Sequence, residues 1–319
     1  MKIKIGIYGS NGHQIHGLLE NHAKAELVAV SAFNKENLPG ELKNNVKYYE
    51  NLDDMLCDSE VELISLCSPV RANQADEAVK CLKSGKHVYA EKPCALSEQD
   101  LDKIIKTANE TGKKFHEMAG TAFEQPYLSA RRLAKSGILG TVVQVFAQKS
   151  YPYHDRRPQD EQIDGGLICQ AGVHAARFIE HTAGVRIKNI SAIETSLSNP
   201  VENGGLKIAS ACMMTLENGG VATFIANYLN PPAFGSWGNE SLRIFGSKGF
   251  LEIVDGGART RLVLNDKDMG EIEVDEPAAD YFDMFIDELN GGAMPVTLEE
   301  ELHPTRIVIR AKLSADNNK

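Results

Sequence analysis

Short apolar runs alternate with longer amphipathic stretches through the first hundred or so residues, and this alternation constrains the fold more than any other feature of the chain. The predicted strands are 2–8, 26–32, 61–67, 86–90 and 113–118. Between them, 71–84 and 97–111 place apolar residues at helical spacing, with a helix start at Ser97 and a stop at Gly112. Strands that alternate with helices are typical of βαβ units. The sequence therefore predicts an α/β domain, a doubly wound parallel sheet with helices on both faces.

After about Glu117 the pattern changes to longer strand-like runs bounded by turn signals such as Asn218-Gly219-Gly220. The predicted strands of this half are 141–150, 187–197, 206–216, 220–229, 241–254 and 260–265. Its predicted helices are 124–136, 172–183, 278–290 and 299–315, and the last three are expected to cover one face of the sheet. We therefore predict two domains, 1–119 with the parallel sheet and 120–319 as an α+β domain with an open, mainly antiparallel sheet.

Length and charge limit the classes of partner. A chain of 319 residues fits two domains of about 150 residues each. Its net charge of −10 opposes binding to nucleic acid or to an anionic membrane. Six cysteines without metal-ligand spacing predict reduced, mostly buried thiols and no metal site. No run approaches the roughly twenty apolar residues that span a bilayer, and the N-terminus does not resemble a signal peptide, so we expect a soluble, cytoplasmic protein.

The first predicted strand runs into the glycine-rich turn Gly6-Ile7-Tyr8-Gly9-Ser10-Asn11-Gly12, which is expected to enter a helix. Backbone N–H groups at such a helix start bind a pyrophosphate, and glycines let the backbone approach it closely. The G-x-G-x-x-G pattern is irregular, because Asn11 and Gln14 occupy the second and third glycine positions if Gly9 is the first. The turn therefore indicates either a dinucleotide site or a strand-to-helix connection in another doubly wound fold.

A more specific signal follows at Gly85-Lys86-His87-Val88-Tyr89-Ala90-Glu91-Lys92-Pro93. This stretch resembles the G-K-H-V-x-x-E-K-P motif of the glucose–fructose oxidoreductase / inositol dehydrogenase / rhizopine catabolism (Gfo/Idh/MocA) family. Further matching motifs, in the same order, are Ser68-Pro69, Ser136-Gly137-Ile138-Leu139-Gly140, Gly165-Gly166 with Gly172-x-His174, and Gly246-Ser247-Lys248-Gly249-Phe250-Leu251-Glu252. The resemblance covers essentially the whole chain. It implies an N-terminal Rossmann domain, a C-terminal substrate domain, and an NAD(P)-dependent oxidoreductase that acts on the CH–OH group of a sugar or polyol.

The resemblance also implies roles for individual residues. His174 matches the family's base, and an imidazole exchanges protons near neutral pH. Lys92 matches the lysine that stabilises a developing alkoxide and contacts the cofactor. The bond before Pro93 is expected to be cis, with Glu91 anchoring that turn. The predicted cofactor-binding residues are Gly9, Ser10, Asn11, Gly12, Gln14, Asn34, Ser68, Pro69, Asn73, Glu91, Lys92 and Pro93. Outside this context, His174 reads as a structural residue and Lys92 as a surface lysine.

Several positions depart from the family pattern. The family usually carries Asp where this chain has Gln170, four residues before His174, so Gln170 is the third predicted catalytic residue and a less effective electrostatic partner. Arg177 and Asn73 replace the usual Asp and His. The family's Arg-rich segment reads Gly120-Thr121-Ala122-Phe123 here. The polar segment 151–164 is predicted to be a loop over the site, or else a solvated loop. The predicted substrate-binding residues are Lys92, Tyr151, His154, Arg156, Gln170 and His174.

Cofactor choice, function and assembly stay open in part. The second strand ends Ser31-Ala32-Phe33-Asn34-Lys35, which has neither the Asp typical of NAD nor the Ser-Arg typical of NADP. The cofactor is therefore predicted as NAD or NADP. The alternatives to a sugar or polyol dehydrogenase are a catalytically silent dinucleotide- or sugar-binding regulator and a redox-neutral glycosidase or epimerase. The exposed face of an open sheet predicts a homodimer or homotetramer.

Overall fold

The computed structural model describes residues 2–274 and 277–318. Met1, Asp275, Glu276 and Lys319, which fall inside the predicted domain ranges, lie outside the described residues. Contacts divide the chain into two compact units. The first comprises Met1–Met118, Gln162–Asp164 and Tyr281–His303, and the second comprises Ala119–Glu161, Gly165–Asp280 and Pro304–Lys319. The domain ranges 1–119 and 120–319 stay a prediction.

The first unit contains the predicted parallel sheet. Its strands are β1 Ile3–Tyr8, β2 Ala25–Ser31, β3 Lys47–Tyr49, β4 Leu63–Leu66, β5 His87–Ala90 and β6 Phe115–Glu117. Their order is β3-β2-β1-β4-β5-β6, and each pairs parallel with its neighbours. Successive strands are added outward from β1 to β3 on one side of the sheet and from β4 to β6 on the other, so the strand order reverses between β1 and β4. Ligands of such sheets bind at the carboxyl ends of the strands beside this point. The glycine turn follows β1 and Ser68 follows β4, so both lie at the expected place.

The helices of the first unit are α1 Gly40–Asn45, α2 Leu52–Leu56, α3 Gln74–Lys83 and α4 Glu98–Thr111. As predicted, Ser97 begins α4 by accepting a hydrogen bond from the Asp100 N–H, and Gly112 ends it in the left-handed conformation. A short helix, α6 Glu161–Asp164, and a later one, α8 Tyr281–Leu289, also contribute residues to this unit.

The second unit is built on an eight-stranded sheet. Its strands are β7 Val142–Ser150, β8 Ile187–Thr195, β9 Ala209–Leu216, β10 Val221–Asn227, β11 Ser241–Gly246, β12 Gly249–Val254, β13 Arg259–Leu264 and β14 Lys267–Gly270. Their order is β14-β13-β12-β11-β7-β10-β9-β8. Among the described strands of this second sheet, only the pairing of β7 with β10 is parallel, which confirms the mainly antiparallel prediction.

Helices cover one face of this sheet. They are α5 Tyr127–Lys135, α7 Val173–Arg177 and α9 Leu298–Asn317, and α9 changes unit at its Pro304. Apolar side chains of the sheet and of these helices form one core, including Phe178, Phe224 and Val308. In β9 and β10, for example, alternate residues therefore face this core and the remainder face away from it.

Four expectations need correction. The run 241–254 is a hairpin of β11 and β12, because Ser247 and Lys248 turn the chain. The predicted helix 172–183 is longer and irregular, with the α-helical turn α7 between the π-helical segments Ile168–Gly172 and Phe178–Thr182. Helix α8 belongs to the first unit, where its Phe282 and Phe285 pack on Tyr89. The helix expected after β1 is considered with the site below.

Among the described residues, no helix has both the length and the apolar character required to cross a bilayer.

Candidate functional site

Gly9 lets the turn after β1 lie directly on the end of β4. Its N–H donates to the carbonyl of Ser31 over 2.9 Å, and its φ of 76° is in the left-handed region. A Cβ built on Gly9 would lie 2.0 Å from the carbonyl oxygen of Cys67. Only glycine satisfies both conditions, so this residue fixes the path of the turn.

The helix predicted after this turn is absent, and residues 9–24, all of them described, form bends and turns. One α-helical bond, from the Leu19 N–H to the Ile15 carbonyl, occurs beside shorter turn bonds, and Asn21 has a φ of 59°. Glycine and histidine are weak helix formers, and this stretch contains Gly17 and three histidines. A phosphate here therefore meets backbone N–H groups of a turn and lacks the dipole of a full helix.

Glu91 closes the turn from the end of β5. The carboxylate accepts a hydrogen bond from the His13 N–H over 2.8 Å and contacts its Nδ1 over 2.8 Å. Gly12 is required beside it, because a Cβ there would lie 2.5 Å from Glu91 Cγ and the φ of Gly12 is 126°. Burial alone would raise the pKa of Glu91, but His13, Lys92 and Arg71 outweigh it and lower the pKa to about 2. Glu91 is therefore an anion that anchors the glycine turn, in addition to the turn at Pro93.

Lys92 is 2% exposed, and its Nζ lies 3.5 Å from Glu91 Oε1. The Lys92–Pro93 bond is cis, as expected. Gln74 joins the loops that follow β4 and β5, since its Oε1 accepts from the Ser68 N–H and its Nε2 donates to the Glu91 carbonyl. The sequence interpretation missed Gln74, although it is the first residue of the correctly predicted helix α3.

The other predicted cofactor residues are dispersed around the turn. Asn11 Nδ2 donates to the carbonyls of Pro69 and Ile163, and Gln14 Nε2 donates to that of Gly12. Ser10, Pro69 and Asn73 are exposed, and Asn73 precedes α3. Asn34 Oδ1 accepts from the Glu36 N–H and so caps a short 3-10 helix. That bond leaves the Asn34 amide nitrogen for a ribose, and such contact stays a prediction.

Two buried polar atoms of this region fit a dinucleotide. Ser31 Oγ at the end of β2 and His16 Nδ1 have no hydrogen-bond partner among the described residues. His16 lies edge-on to Phe33, with ring centroids 5.6 Å apart, and burial lowers its pKa, so its imidazole is neutral at pH 7. Buried polar groups are normally paired. The hydrogen-bonding capacity of Ser31 Oγ and His16 Nδ1 is therefore consistent with a ligand that bears hydroxyl and ring nitrogen groups.

In the second unit, His174 is 4% exposed on α7, and its Nδ1 lies 3.1 Å from Thr121 Oγ1. Thr121 belongs to the short helical turn Gly120–Phe123, where the sequence interpretation noted a departure from the family and assigned no role. Arg177, on the same helix, donates to the Ala119 carbonyl over 3.1 Å. Both contacts tie the segment after β6 to α7, so Thr121 sets the orientation of the imidazole.

Gln170 lies on the π-helical segment before α7, and its Oε1 accepts from Tyr228 OH over 3.4 Å. The Tyr228 ring in turn carries the Arg157 guanidinium, 3.6 Å from its centroid. A π-helix does not keep the i, i+4 geometry of an α-helix, so the expected pairing of Gln170 with His174 stays a prediction. Arg157 belongs to the predicted loop 151–164, whereas Tyr228 was not among the predicted site residues.

Segment 151–164 brings two of its predicted residues together. Tyr151 lies edge-on to His174 at 6.5 Å between centroids, and Tyr151 and His154 both contact the ring of Trp237. Arg156 is exposed. Lys92 belongs to the first unit and His174 to the second, so their convergence on one substrate stays a prediction.

The parallel sheet with its glycine turn after β1 defines the first unit as a dinucleotide-binding domain of the Rossmann class. The model of an oxidoreductase family with an NAD-binding Rossmann fold matches residues 3–118, and the model of a GFO/IDH/MocA C-terminal domain matches residues 127–252. The chain belongs to the Gfo/Idh/MocA family.

Individual relatives are distant. A 2,7-anhydro-N-acetylneuraminate hydratase of Escherichia coli is 25% identical over 264 residues, which are 79% of this chain and 67% of that protein. A myo-inositol 2-dehydrogenase of Thermotoga maritima is 22% identical over 76% of this chain and 72% of its own length. An uncharacterised protein of Saccharomyces cerevisiae is 28% identical over 65% of this chain, and the match spans only 59% of that protein.

Solved structures share the fold over nearly the full chain. A Thermotoga maritima protein whose assignment as an oxidoreductase is provisional has a TM-score of 0.87 at 25% identity, over 99% of both chains. The WlbA dehydrogenase of Chromobacterium violaceum, solved with NADH and UDP-GlcNAcA, has a TM-score of 0.80 at 20% identity, over 100% of this chain and 95% of that one.

Proposed function

We propose that the protein is an NAD(P)-dependent oxidoreductase that transfers a hydride between a nicotinamide cofactor and a secondary alcohol or ketone of a sugar or polyol. The observation that carries this proposal is the buried His174 whose Nδ1 is held by Thr121. When Nδ1 donates to the Thr121 hydroxyl, Nε2 is the proton-accepting atom. Family membership and the inositol dehydrogenase relative support the redox reaction and the substrate class.

The roles of the residues follow from this assignment. A bound nicotinamide would supply the hydride acceptor for the alcohol carbon, or the hydride donor for the ketone. His174 removes the hydroxyl proton in the oxidation direction and returns it in the other. Lys92 provides positive charge for the developing alkoxide, and the buried Glu91 carboxylate lies 3.5 Å from its Nζ. The turn Gly9–Gly12, with Ser31 and Asn34, holds the dinucleotide.

Two measurements test this proposal. Mass spectrometry of the purified protein is expected to detect a bound NAD or NADP, and titration of the emptied protein with both distinguishes them. Incubation with neutral sugars and polyols is then expected to change the nicotinamide absorbance with at least one compound. If neither dinucleotide binds, the proposal is wrong. If one binds and no compound in a broad panel changes its redox state, a regulatory role replaces it.

A redox-neutral reaction is a second candidate, because a relative at 25% identity is named as a hydratase. In such a reaction the hydride is removed and later returned to the same molecule. Product that forms from a glycoside or an anhydro sugar, at constant reduced-cofactor concentration and only when the dinucleotide is present, would favour this candidate over net oxidation.

We further propose that the protein is a homodimer or homotetramer that associates through the outer face of the eight-stranded sheet. Ile193 on β8 and Met213 on β9 are diagonal neighbours there and are 61% and 68% exposed. Met213→Glu would place a carboxylate in the interface at a cost of about 2 kcal/mol or more, which weakens association roughly thirtyfold. Light scattering after size exclusion is expected to show a smaller mass for this variant. Leu197→Glu is the control, because Leu197 lies beyond the end of β8 and is 78% exposed. An unchanged mass for Met213→Glu contradicts this interface.

A further inference from the structure

Trp237 is an exposed aromatic residue on a well-supported loop. Its side chain is 57% exposed and belongs to the connection between β10 and β11. Asn230 is buried beneath this loop, and its Nδ2 donates to the carbonyls of Ser236 and Trp237, both over 3.0 Å. Ser236 Oγ donates to the Gly238 carbonyl over 2.7 Å. The backbone that carries the indole is therefore fixed, although the indole itself faces water.

The indole belongs to a row of neighbouring rings that starts at His174, and this row is called the ring wall below. Tyr151 lies edge-on to His174, and its centroid is 6.1 Å from that of Trp237 at an interplanar angle of 41°. His154 lies 5.9 Å from Trp237 at an angle of 31°. All four residues belong to the second unit. The exposed indole is thus continuous with the histidine that the proposed function assigns as the base.

A neutral ring suits the ring wall better than an anion. Lys149 is buried in an ion pair with Glu240, and Arg157 is stacked on Tyr228 and donates to the Pro152 carbonyl. Glu240 compensates the charge of Lys149. The Arg157 guanidinium keeps its charge but is 6% exposed and lies against the Tyr228 ring, and burial lowers the pKa of His154 beside the indole. The groups nearest the indole therefore offer a phosphate or carboxylate no exposed cation. His154 Nδ1 is buried without a hydrogen-bond partner among the described residues. An indole face beside an unused polar atom matches a sugar ring, which has one C–H face and hydroxyl groups at its edge.

We propose that Trp237 is a specificity-determining residue whose indole stacks on the C–H face of a neutral sugar ring in the substrate, while His154 Nδ1 bonds one of its hydroxyls. This inference rests on the proposed function, since it names the substrate class of the same site. Trp237 does not take part in proton or hydride transfer. It therefore contributes to binding the sugar and not to the chemical step.

The chain contains a single tryptophan, so intrinsic tryptophan fluorescence reports on Trp237 alone. With oxidised cofactor saturating, neutral monosaccharides and glycosides are expected to change this fluorescence saturably, and the corresponding sugar phosphates are expected to bind more weakly. Trp237→Ala is expected to raise KM about 10- to 100-fold with kcat within a few-fold, and Trp237→Phe to recover part of the loss. Leu229→Ala is the control, because Leu229 is also 57% exposed and lies near the same loop.

The outcomes separate this inference from the proposed function. Turnover of a sugar with no change in fluorescence, and with an unchanged KM for Trp237→Ala, overturns the role of Trp237 and leaves the oxidoreductase proposal intact. Preferential binding of sugar phosphates overturns the neutral substrate class. Saturable sugar binding that Trp237→Ala weakens, without redox turnover, supports the role of Trp237 and contradicts the oxidoreductase. Absence of both binding and turnover across the panel overturns both.

Discussion

Replacing His174 with Asn or Lys92 with Met is expected to lower kcat/KM for the accepted sugar by about a hundred- to ten-thousand-fold, the usual range for a lost proton-transfer group. Asn retains hydrogen bonding but cannot accept the proton, and Met retains the length of the lysine without its charge. Steady-state kinetics should show the loss mainly in kcat, because both groups act more strongly on the transition state than on the bound substrate. Thermal unfolding of each variant checks that the fold persists.

Two buried residues provide matched controls for these variants. His181 is 2% exposed and follows His174 in the same helical segment, and Lys86 is 7% exposed, with Nζ bonds to the Asp58 and Val61 carbonyls. His181→Asn and Lys86→Met are expected to lower thermal stability with a much smaller effect on kcat. A result in which the controls and the test variants lose activity equally would contradict the assigned roles.

The double variant tests whether Lys92 and His174 serve one chemical step. Groups that act as a unit in one transition state show strongly non-additive losses. The double variant is then expected to have a kcat/KM only slightly below that of the less active single variant. A loss equal to the product of the two single losses would mean that the residues act independently, and the predicted convergence would be wrong.

Both sheets could be predicted from the apolar runs, because a buried strand appears in the sequence as a run of adjacent apolar residues. The strands that escaped prediction are short and lack buried residues. Strand β14 is exposed at every residue, and β3 contains three residues with no buried position, so neither produces a hydrophobic pattern. The helix predicted after β1 is the opposite error, because the sequence pattern predicts an element that the structure does not contain at residues 9–24. Apolar residues Ile15, Leu18 and Leu19 have helical spacing, but Gly17 and the neighbouring histidines do not sustain a helix.

The site divides in the same way between local and distant contacts. Gly9, Glu91 and Lys92 could be predicted because strand-end motifs carry their context in adjacent residues. Thr121 and Trp237 could not, since their contacts with His174, Tyr151 and His154 join residues 53 or more positions apart. Periodicity likewise predicted helix α8 and could not say which sheet it covers. Its side chains pack near Tyr89 and His116 of the first unit, where the second large effect is expected.

His116 on β6 is the buried centre of an ionic cluster, and its removal is expected to destabilise the protein in a pH-dependent manner. Its Nδ1 lies 2.5 Å from Glu301 and its Nε2 lies 2.8 Å from Glu288. Two carboxylates on two ring nitrogens require the imidazolium. Burial alone would lower the pKa of His116, but Glu301 and Glu288 outweigh it and raise the pKa to about 9.

The sign of the effect follows from this raised pKa. The unfolded-state pKa of histidine is about 6.5, so the folded protein binds the proton more tightly. The stabilisation is complete below about pH 6.5 and is lost as pH rises through about 9, and its maximum is of the order of 3 kcal/mol. His116→Gln keeps a donor for one carboxylate and has no charge. The free energy of unfolding of this variant is therefore expected to lie furthest below that of the native sequence near pH 6.

Urea unfolding at several pH values between 6 and 10 measures that difference, which is expected to shrink to less than about 1 kcal/mol at pH 10. His22→Gln is the control, because His22 also contacts a carboxylate on α8, that of Asp283, over 2.7 Å. Unlike the carboxylates at His116, the Asp283 side chain is 48% exposed. Solvent screens that pair, so its loss is expected to cost less than about 1 kcal/mol. A difference for His116→Gln that stays constant from pH 6 to 10 would show that packing of the ring, and not its charge, makes the contribution. In that case Glu288 and Glu301 would have to draw their compensation from Lys114 and from the Glu117 N–H, which they also contact.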